Sequence, residues 1–197
     1  MGDQVNFCVP TGNFGDILAG YLAKKLGLPV GTLVCASNAN NVLTDFIQTG
    51  TYDRRRPLHK TVSPSMDILV SSNLERLLYF MSNGNTELVA DLMGKLNREG
   101  AYTVPEDMQK AIAAEFWAGC CDDEKTKDII GKVWNEQGYL CDTHTAAGWA
   151  VAEDYVNQTG DTRPMVVLST ASPYKFPAAV PSTRLNLPPW TFWCPPT

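Results

Sequence analysis

The sequence lacks an excess of positive charge, any long apolar run, a disulfide-rich cysteine pattern and either of the common nucleotide fingerprints. Lys and Arg total 16 against 21 Asp and Glu, a net charge of −5. That balance excludes a sequence-independent grip on phosphate backbones and makes nucleic acid an unexpected partner. No apolar stretch approaches the roughly 18–20 residues of a membrane span, so no membrane partner is expected. The opening Met1-Gly2-Asp3-Gln4-Val5-Asn6 shows neither a signal-peptide pattern nor the Ser or Thr of a myristoylation site, so neither export nor anchoring is expected. Six cysteines in 197 residues are too few for a disulfide scaffold, and Cys8 and Cys35 fall inside strand-like apolar runs. Reduced thiols in a cytoplasmic setting are the expectation.

What is present is an apolar fraction of 44%, enough to build a core, and an alternation of strand and helix signals. Val5 to Val9 reads as a strand, a Gly-rich turn follows, and Asp16 to Leu26 has helical spacing. Gly27 and Pro29 stop that helix, Thr32 to Ala36 restarts as a buried strand, and Asn41 to Gln48 is helical again. This βαβα order predicts an α/β fold with three αβα layers and a mostly parallel sheet, whose ligands gather at the carboxyl ends of the strands. Residues 51–65 read as an irregular excursion. A helical insertion then spans about 72–138, with helices from about Ser72, over Glu87 to Arg98, over Pro105 to Ala118 and over Glu124 to Gln137. A short strand at Tyr139-Leu140, a helix over Thr145 to Thr159 capped by Asp142 or Thr143, and a final buried strand over Met165 to Leu168 complete the pattern. The body of the fold is expected at 1–180. Pro181, Pro188, Pro189, Pro195 and Pro196, with Trp190 and Trp193 between them, predict an irregular tail over 181–197.

Thr11-Gly12-Asn13-Phe14-Gly15-Asp16 joins strand to helix, so its backbone N–H groups face the positive end of the helix dipole, a geometry that binds anions. Gly12 and Gly15 remove Cβ atoms, Asn13 tolerates a left-handed turn, and Thr11 offers a hydroxyl donor. A phosphate cradle and an ordinary βα turn both fit these residues. Gly-Lys-Ser/Thr is missing and the G-x-G-x-x-G spacing is not met. After the last strand, Ser169-Thr170-Ala171-Ser172 is a hydroxyl-rich loop in which Thr170 can hydrogen-bond a ligand. Lys175 reads either as a ligand cation or as a solvated charge.

Cys120, Cys121, Cys141 and His144 raise a zinc reading, but adjacent cysteines lack the gap that turns two thiolates toward one ion, so no metal is expected. His144 is expected to orient a loop or cap a helix, and Asp142 to cap. No elbow surrounds any cysteine that could pair with His144 or His59 as a nucleophile. Arg54 to Arg56 could neutralise a phosphorylated substrate or form a solvated loop.

The stretch Val9 to Gly20, Ala36-Ser37-Asn38-Ala39-Asn40-Asn41-Val42-Leu43, Ser63-Pro64-Ser65-Met66-Asp67-Ile68, Ser72-Asn73-Leu74-Glu75-Arg76, Asp142-Thr143-His144-Thr145-Ala146 and Leu168 to Phe176 resemble successive blocks of the threonine synthase family. The resemblance runs from about Val5 to Val180. It implies the C-terminal part of a pyridoxal-phosphate (PLP) enzyme with the tryptophan-synthase-β type of fold, converting O-phosphohomoserine and water into threonine and phosphate. It further implies that Gly12, Asn13, Phe14, Gly15 and Asp16 hold the cofactor phosphate. Thr170 would hydrogen-bond the pyridine nitrogen and leave it largely unprotonated. The family's Schiff-base lysine belongs to a stretch upstream of the Gly-rich loop, so no catalytic residue is expected in this chain and it is expected to be inactive alone. Pro- and Trp-rich text after Val180 departs from the family. A stand-alone module that binds phosphate or a phosphorylated metabolite is the alternative.

Overall fold

The computed structural model describes residues 3–177, so the tail expected at 181–197 lies outside the described residues. In chain order the elements are β1 (Val5–Pro10), α1 (Gly15–Lys25), β2 (Val30–Ser37), α2 (Val42–Thr49), β3 (Thr51–Asp53), α3 (Leu74–Met81), α4 (Thr86–Glu99), β4 (Ala101–Thr103), α5 (Glu106–Glu115), β5 (Phe116–Cys120), α6 (Asp123–Gln137), α7 (Thr143–Thr159) and β6 (Met165–Val167). Short 3-10 turns occupy Pro64–Met66 and Pro173–Lys175.

β1 and β2 pair in parallel, with Cys8 opposite Val34 and Val9 opposite Cys35. β5 and β6 add in parallel on either side, in the order β5-β2-β1-β6. Side chains alternate across this sheet as a strand's two-residue period requires. Val9, Leu33 and Cys35 face a core shared with α1 and α2, while Cys8, Val34 and Ala36 face a second core shared with α6 and α7. Helices on both faces explain why the central strands are almost continuously apolar, and the expected three-layer αβα architecture is observed. α7 can lie directly on β1 because its buried residues are small: Ala146, Ala147, Gly148 and Ala150. A Cβ at Gly148 would stand 2.9 Å from the Pro10 ring, and the Gly148 carbonyl accepts from the Cys8 thiol at 3.1 Å.

Four expectations change. Thr51–Asp53, expected to be irregular, is a strand paired antiparallel with β4, and Tyr52 stacks on Tyr102 with ring centroids 5.5 Å apart. Pro105 to Ala118 is not one helix: α5 ends at Glu115, and Phe116 turns extended to start β5 at the sheet edge. Pairing of Phe116-Trp117-Ala118 with β2 overrides the local helical pattern, since a bulky aromatic pair gains more on a half-buried pleated surface than in a last helical turn. Tyr139-Leu140 forms no strand, because only Tyr139, Leu140 and Cys141 separate the left-handed cap Gly138 from the next helix cap, Asp142. β6 is a strand but not a buried one: among the described residues it has a neighbour only on its β1 side, and Val166 is 44% exposed.

Candidate functional site

Because the four strands are parallel, the segments after β1, β2, β5 and β6 all emerge at one end of the sheet. Here the turn 11–14 bends sharply into α1. Phe14, not Asn13, takes the left-handed conformation, at φ 64° and ψ 11°. A bulky residue accepts that backbone because its ring is held elsewhere: Phe14 is 1% exposed and packs on Phe116 with centroids 5.7 Å apart. Core burial of one side chain thus sets the shape of the turn.

Among the described residues, the backbone N–H groups of Gly12, Asn13, Phe14, Gly15, Asp16 and Ile17 have no protein acceptor. Regular helical pairing begins with Leu18 N–H donating to the Phe14 carbonyl at 3.1 Å. Asn13, Gly15 and Asp16 are exposed at the positive end of α1, while Phe14 and Ile17 between and after them are buried. The carbonyls of the same turn are held from behind. Ser71 Oγ donates to Gly12 O at 2.9 Å, and Asn73 donates to Asn13 O through its backbone N–H at 3.1 Å and its side chain at 2.9 Å. With the carbonyls held from behind and the amides without protein acceptors, the loop suits an oxyanion. The Asp16 carboxylate complements the helix dipole but opposes a bound anion, so Asp16 fits this role only through its amide.

Two other expectations are corrected. Gly12 does not keep a Cβ away from open space: a Cβ there would lie 2.6 Å from the Ser65 carbonyl oxygen, so its smallness admits the 63–66 segment. Thr11 offers no outward hydroxyl, because Thr11 Oγ1 donates to the Val9 carbonyl at 2.6 Å in a buried position.

Thr170 follows β6 three residues beyond Val167, as Thr11 follows Cys8, its partner in the β1–β6 register. Thr170 therefore lies at the same end of the sheet as the amide row, and it is exposed. Lys175 is exposed and sits over the Phe176 ring, 5.3 Å from its centroid. The arginine run is engaged by its own neighbours: Arg54 donates to the Asn97 carbonyl at 3.3 Å, the exposed Arg55 pairs with Asp53 at 2.8 Å and Arg56 pairs with Asp45 at 2.7 Å. Lys24 and Lys25, at the opposite end of α1 from the amide row, pair with Glu115 at 2.7 and 3.2 Å.

Between the two loops stands the N-terminus of α7. Asp142 caps it, accepting from the backbone N–H groups of His144 at 2.8 Å and Thr145 at 3.4 Å and from the Thr145 hydroxyl. The His144 ring is 2% exposed, with Nδ1 2.9 Å from Asp142 Oδ1 and Nε2 accepting the Ser65 backbone N–H at 3.1 Å. Burial pushes the Asp142 carboxyl up, but hydrogen bonds from the His144 and Thr145 side chains and from the His144 amide outweigh it and hold the group below the usual carboxylate range. The cap and loop-orienting roles expected of Asp142 and His144 are both present. No Ser-His-Asp nucleophile arises, because the imidazole nitrogen facing Ser65 is taken by its amide rather than its hydroxyl.

Sequence reasoning assigned no site role to Ser65, Ser71 or Asn73, or to the polar knot around Asp67. In that knot Asp67 accepts from Asn38, Asn40 and both the amide and hydroxyl of Thr61, at 2.6 to 3.0 Å. The clusters of Ser and Asn before α3 were the available signal, since such residues bond loop backbone rather than continue helix or strand. Among the described residues the cysteines show no activated thiol. Burial pushes Cys35 and Cys141 up to about 12 and Cys121 up to about 11, and raises Cys8 further, so these sulfurs hold their protons at neutral pH. Adjacent Cys120 is exposed while Cys121 is buried against Thr126, so the pair does not converge on one point.

A family profile described as "Threonine synthase, C-terminal" matches residues 145–190. The chain is 42% identical over 186 residues to the threonine synthase of Pseudomonas aeruginosa, covering 94% of this chain and 39% of that protein. It is 41% identical over 181 residues to the human protein "Threonine synthase-like 1", covering 91% of this chain and 24% of that one. Among solved structures, a PLP-bound threonine synthase from Brucella melitensis matches with a TM-score of 0.87 and 43% identity, over 93% of this chain and 39% of that one. The yeast threonine synthase matches with a TM-score of 0.84 and 38% identity, over 90% and 38%. The chain spans about a quarter to two fifths of the length of these relatives. Sequence and fold thus agree over about nine tenths of this chain with one portion of these threonine synthases, and the profile match over 145–190 is to their C-terminal region.

Proposed function

We propose that this chain forms the phosphate-gripping half of a PLP site in a threonine-forming enzyme whose substrate is O-phosphohomoserine. The observation that carries the reading is the run of backbone N–H groups from Gly12 to Ile17 at the start of α1, which have no protein acceptor among the described residues, with Asn13, Gly15 and Asp16 exposed. Gly12, Asn13, Phe14, Gly15 and Asp16 would hold the cofactor phosphate through backbone N–H groups, with the helix dipole adding to the field. Thr170, exposed at the end of the neighbouring strand, would offer its hydroxyl to the pyridine nitrogen. When bound, PLP supplies the electron-withdrawing ring that lets phosphate leave from the substrate's γ-carbon and water add at the β-carbon. A neutral hydroxyl partner leaves the ring nitrogen largely unprotonated, so proton movements at the substrate fall more heavily on nearby acid and base groups.

The chain alone is proposed to be inactive. Lys24 and Lys25 are ion-paired at the far end of α1, and neither is placed to anchor the cofactor covalently. Protonated, buried thiols suit a reducing, cytoplasmic setting. Titration of the purified chain with PLP, followed by absorbance and calorimetry, tests the proposal. Saturable binding displaced by inorganic phosphate is expected, with no lysine adduct after borohydride and no phosphate release from O-phosphohomoserine. No binding of PLP removes the cofactor reading. Binding of phosphate or O-phosphohomoserine with PLP excluded would favour a phospho-metabolite module, which the confinement of the whole amide row to this chain also allows.

A further inference from the structure

We infer that His144 is a positioning residue that fixes the Gly12 turn and the Thr170 loop relative to each other, using its two ring nitrogens for different tasks. The inference rests on the proposed cofactor site and deepens it. Nε2 accepts the Ser65 amide at 3.1 Å, so that nitrogen carries no proton. Nδ1 therefore carries the proton and donates to Asp142 Oδ1 at 2.9 Å, which fixes the tautomer and the plane of the ring. Asp142 is in turn immobilised as the cap of α7.

The consequence on one side reaches the amide row. Ser65 held by His144 presses its carbonyl against Gly12, so closely that a Cβ at Gly12 would stand 2.6 Å from the oxygen. The Gly12 carbonyl is turned toward Ser71, and the amides of the turn have no acceptor among the described residues. On the other side the His144 ring packs on Phe176, with centroids 4.9 Å apart, and Thr145 Oγ1 lies 3.4 Å from Ser169 Oγ, next to Thr170. One helix end thus touches both loops that would grip the phosphate and the ring nitrogen. His144 touches neither PLP-binding group itself, so its effect is exerted through Ser65 and Phe176.

Two near-isosteres separate the nitrogens. His144→Gln places an oxygen where Nε2 stood and can still accept from Ser65. His144→Asn keeps a donor for Asp142 and loses the Ser65 acceptor. In the whole chain, amide hydrogen exchange at Ser65 is expected to rise about tenfold in the Asn variant and to stay within about twofold in the Gln variant, the scale of one lost hydrogen bond. Affinity for PLP should follow the same order. Equal exchange at Ser65 in the two variants overturns the inference. Should either variant fail to fold, the imidazole nitrogen-15 spectrum of the unaltered chain decides it: a proton on Nδ1 and a bare Nε2 are expected, and the reverse tautomer overturns the inference. If the unaltered chain binds no PLP, the cofactor reading falls while the exchange and tautomer results still judge the role of His144.

Discussion

The two ends of the four-stranded sheet handle polar groups in opposite ways. At the amino end Asn6, Thr32, Tyr155, Asp161 and Arg163 close a saturated cluster. Asp161 accepts from Asn6, Tyr155 and both the side chain and backbone of Arg163, and Arg163 reaches on to Thr32 at 3.2 Å and Gln4 at 2.9 Å. Gly31 packs beneath it, since a Cβ there would lie 2.3 Å from Asn6 Oδ1. At the carboxyl end the surrounding loops are as heavily bonded, but the amides from Gly12 to Ile17 have no partner among the described residues. A cluster that satisfies itself ties chain segments together. A turn that satisfies its carbonyls and not its donors is shaped for something else.

Gly12→Ala should break the carboxyl end most severely. Its Cβ meets the backbone oxygen of Ser65, which cannot swing aside as a side chain would, so a loss of about 3 kcal/mol in stability is expected, at the upper end for overpacking. Urea unfolding measures that loss, and PLP affinity should fall with it. An unchanged midpoint would mean that the Ser65 segment yields freely and that the turn is not held from behind.

Asp161→Asn addresses the amino end. Hydrogen bonds from Arg163 and Tyr155 hold the Asp161 carboxyl far below the usual carboxylate range. A carboxyl whose folded pKa is depressed adds stability above its unfolded value near 3.9, and that stability drains away as pH falls toward the folded value. The native chain should therefore lose stability below about pH 4, and the Asn variant should show a shallower acid limb. At neutral pH the variant should be less stable by about 1.5 kcal/mol, the scale of hydrogen bonds to a charged group, with PLP affinity unchanged. A matching fall in PLP affinity would show that the two ends are not independent.

The smallest effect is expected at the sheet edge. Val166→Lys, at a 44% exposed position of β6, should alter stability by less than about 0.5 kcal/mol. A much larger loss by thermal unfolding would mean that β6 is covered in solution as its apolar sequence had suggested.

Why β6 misled is physical. A run such as Met165-Val166-Val167 looks the same whether it sits in the middle of a sheet or at its margin, because burial depends on what lies beside the strand. Phe116-Trp117-Ala118 misled in the other direction: helical spacing continued through it, and only the waiting edge of β2 made it a strand. Local punctuation was dependable where no sheet edge intervened. Gly100 and Gly138, expected as helix stops, end α4 and α6 in the left-handed conformation, and Asp142 caps the helix it precedes. Gly119, expected as a third stop, lies instead inside β5.

The βαβα order, the parallel sheet and the placing of a Gly-rich turn at a strand's carboxyl end followed from the order of residues, because strand and helix periods, caps and stops act over a few neighbours. Tertiary structure decided that Phe14 takes the left-handed angle, that Gly12 makes room for Ser65, and that His144 joins segments 79 residues apart. Each of those depends on a contact with a distant segment, and a contact of that kind exists only once the sheet has brought the loops to one side.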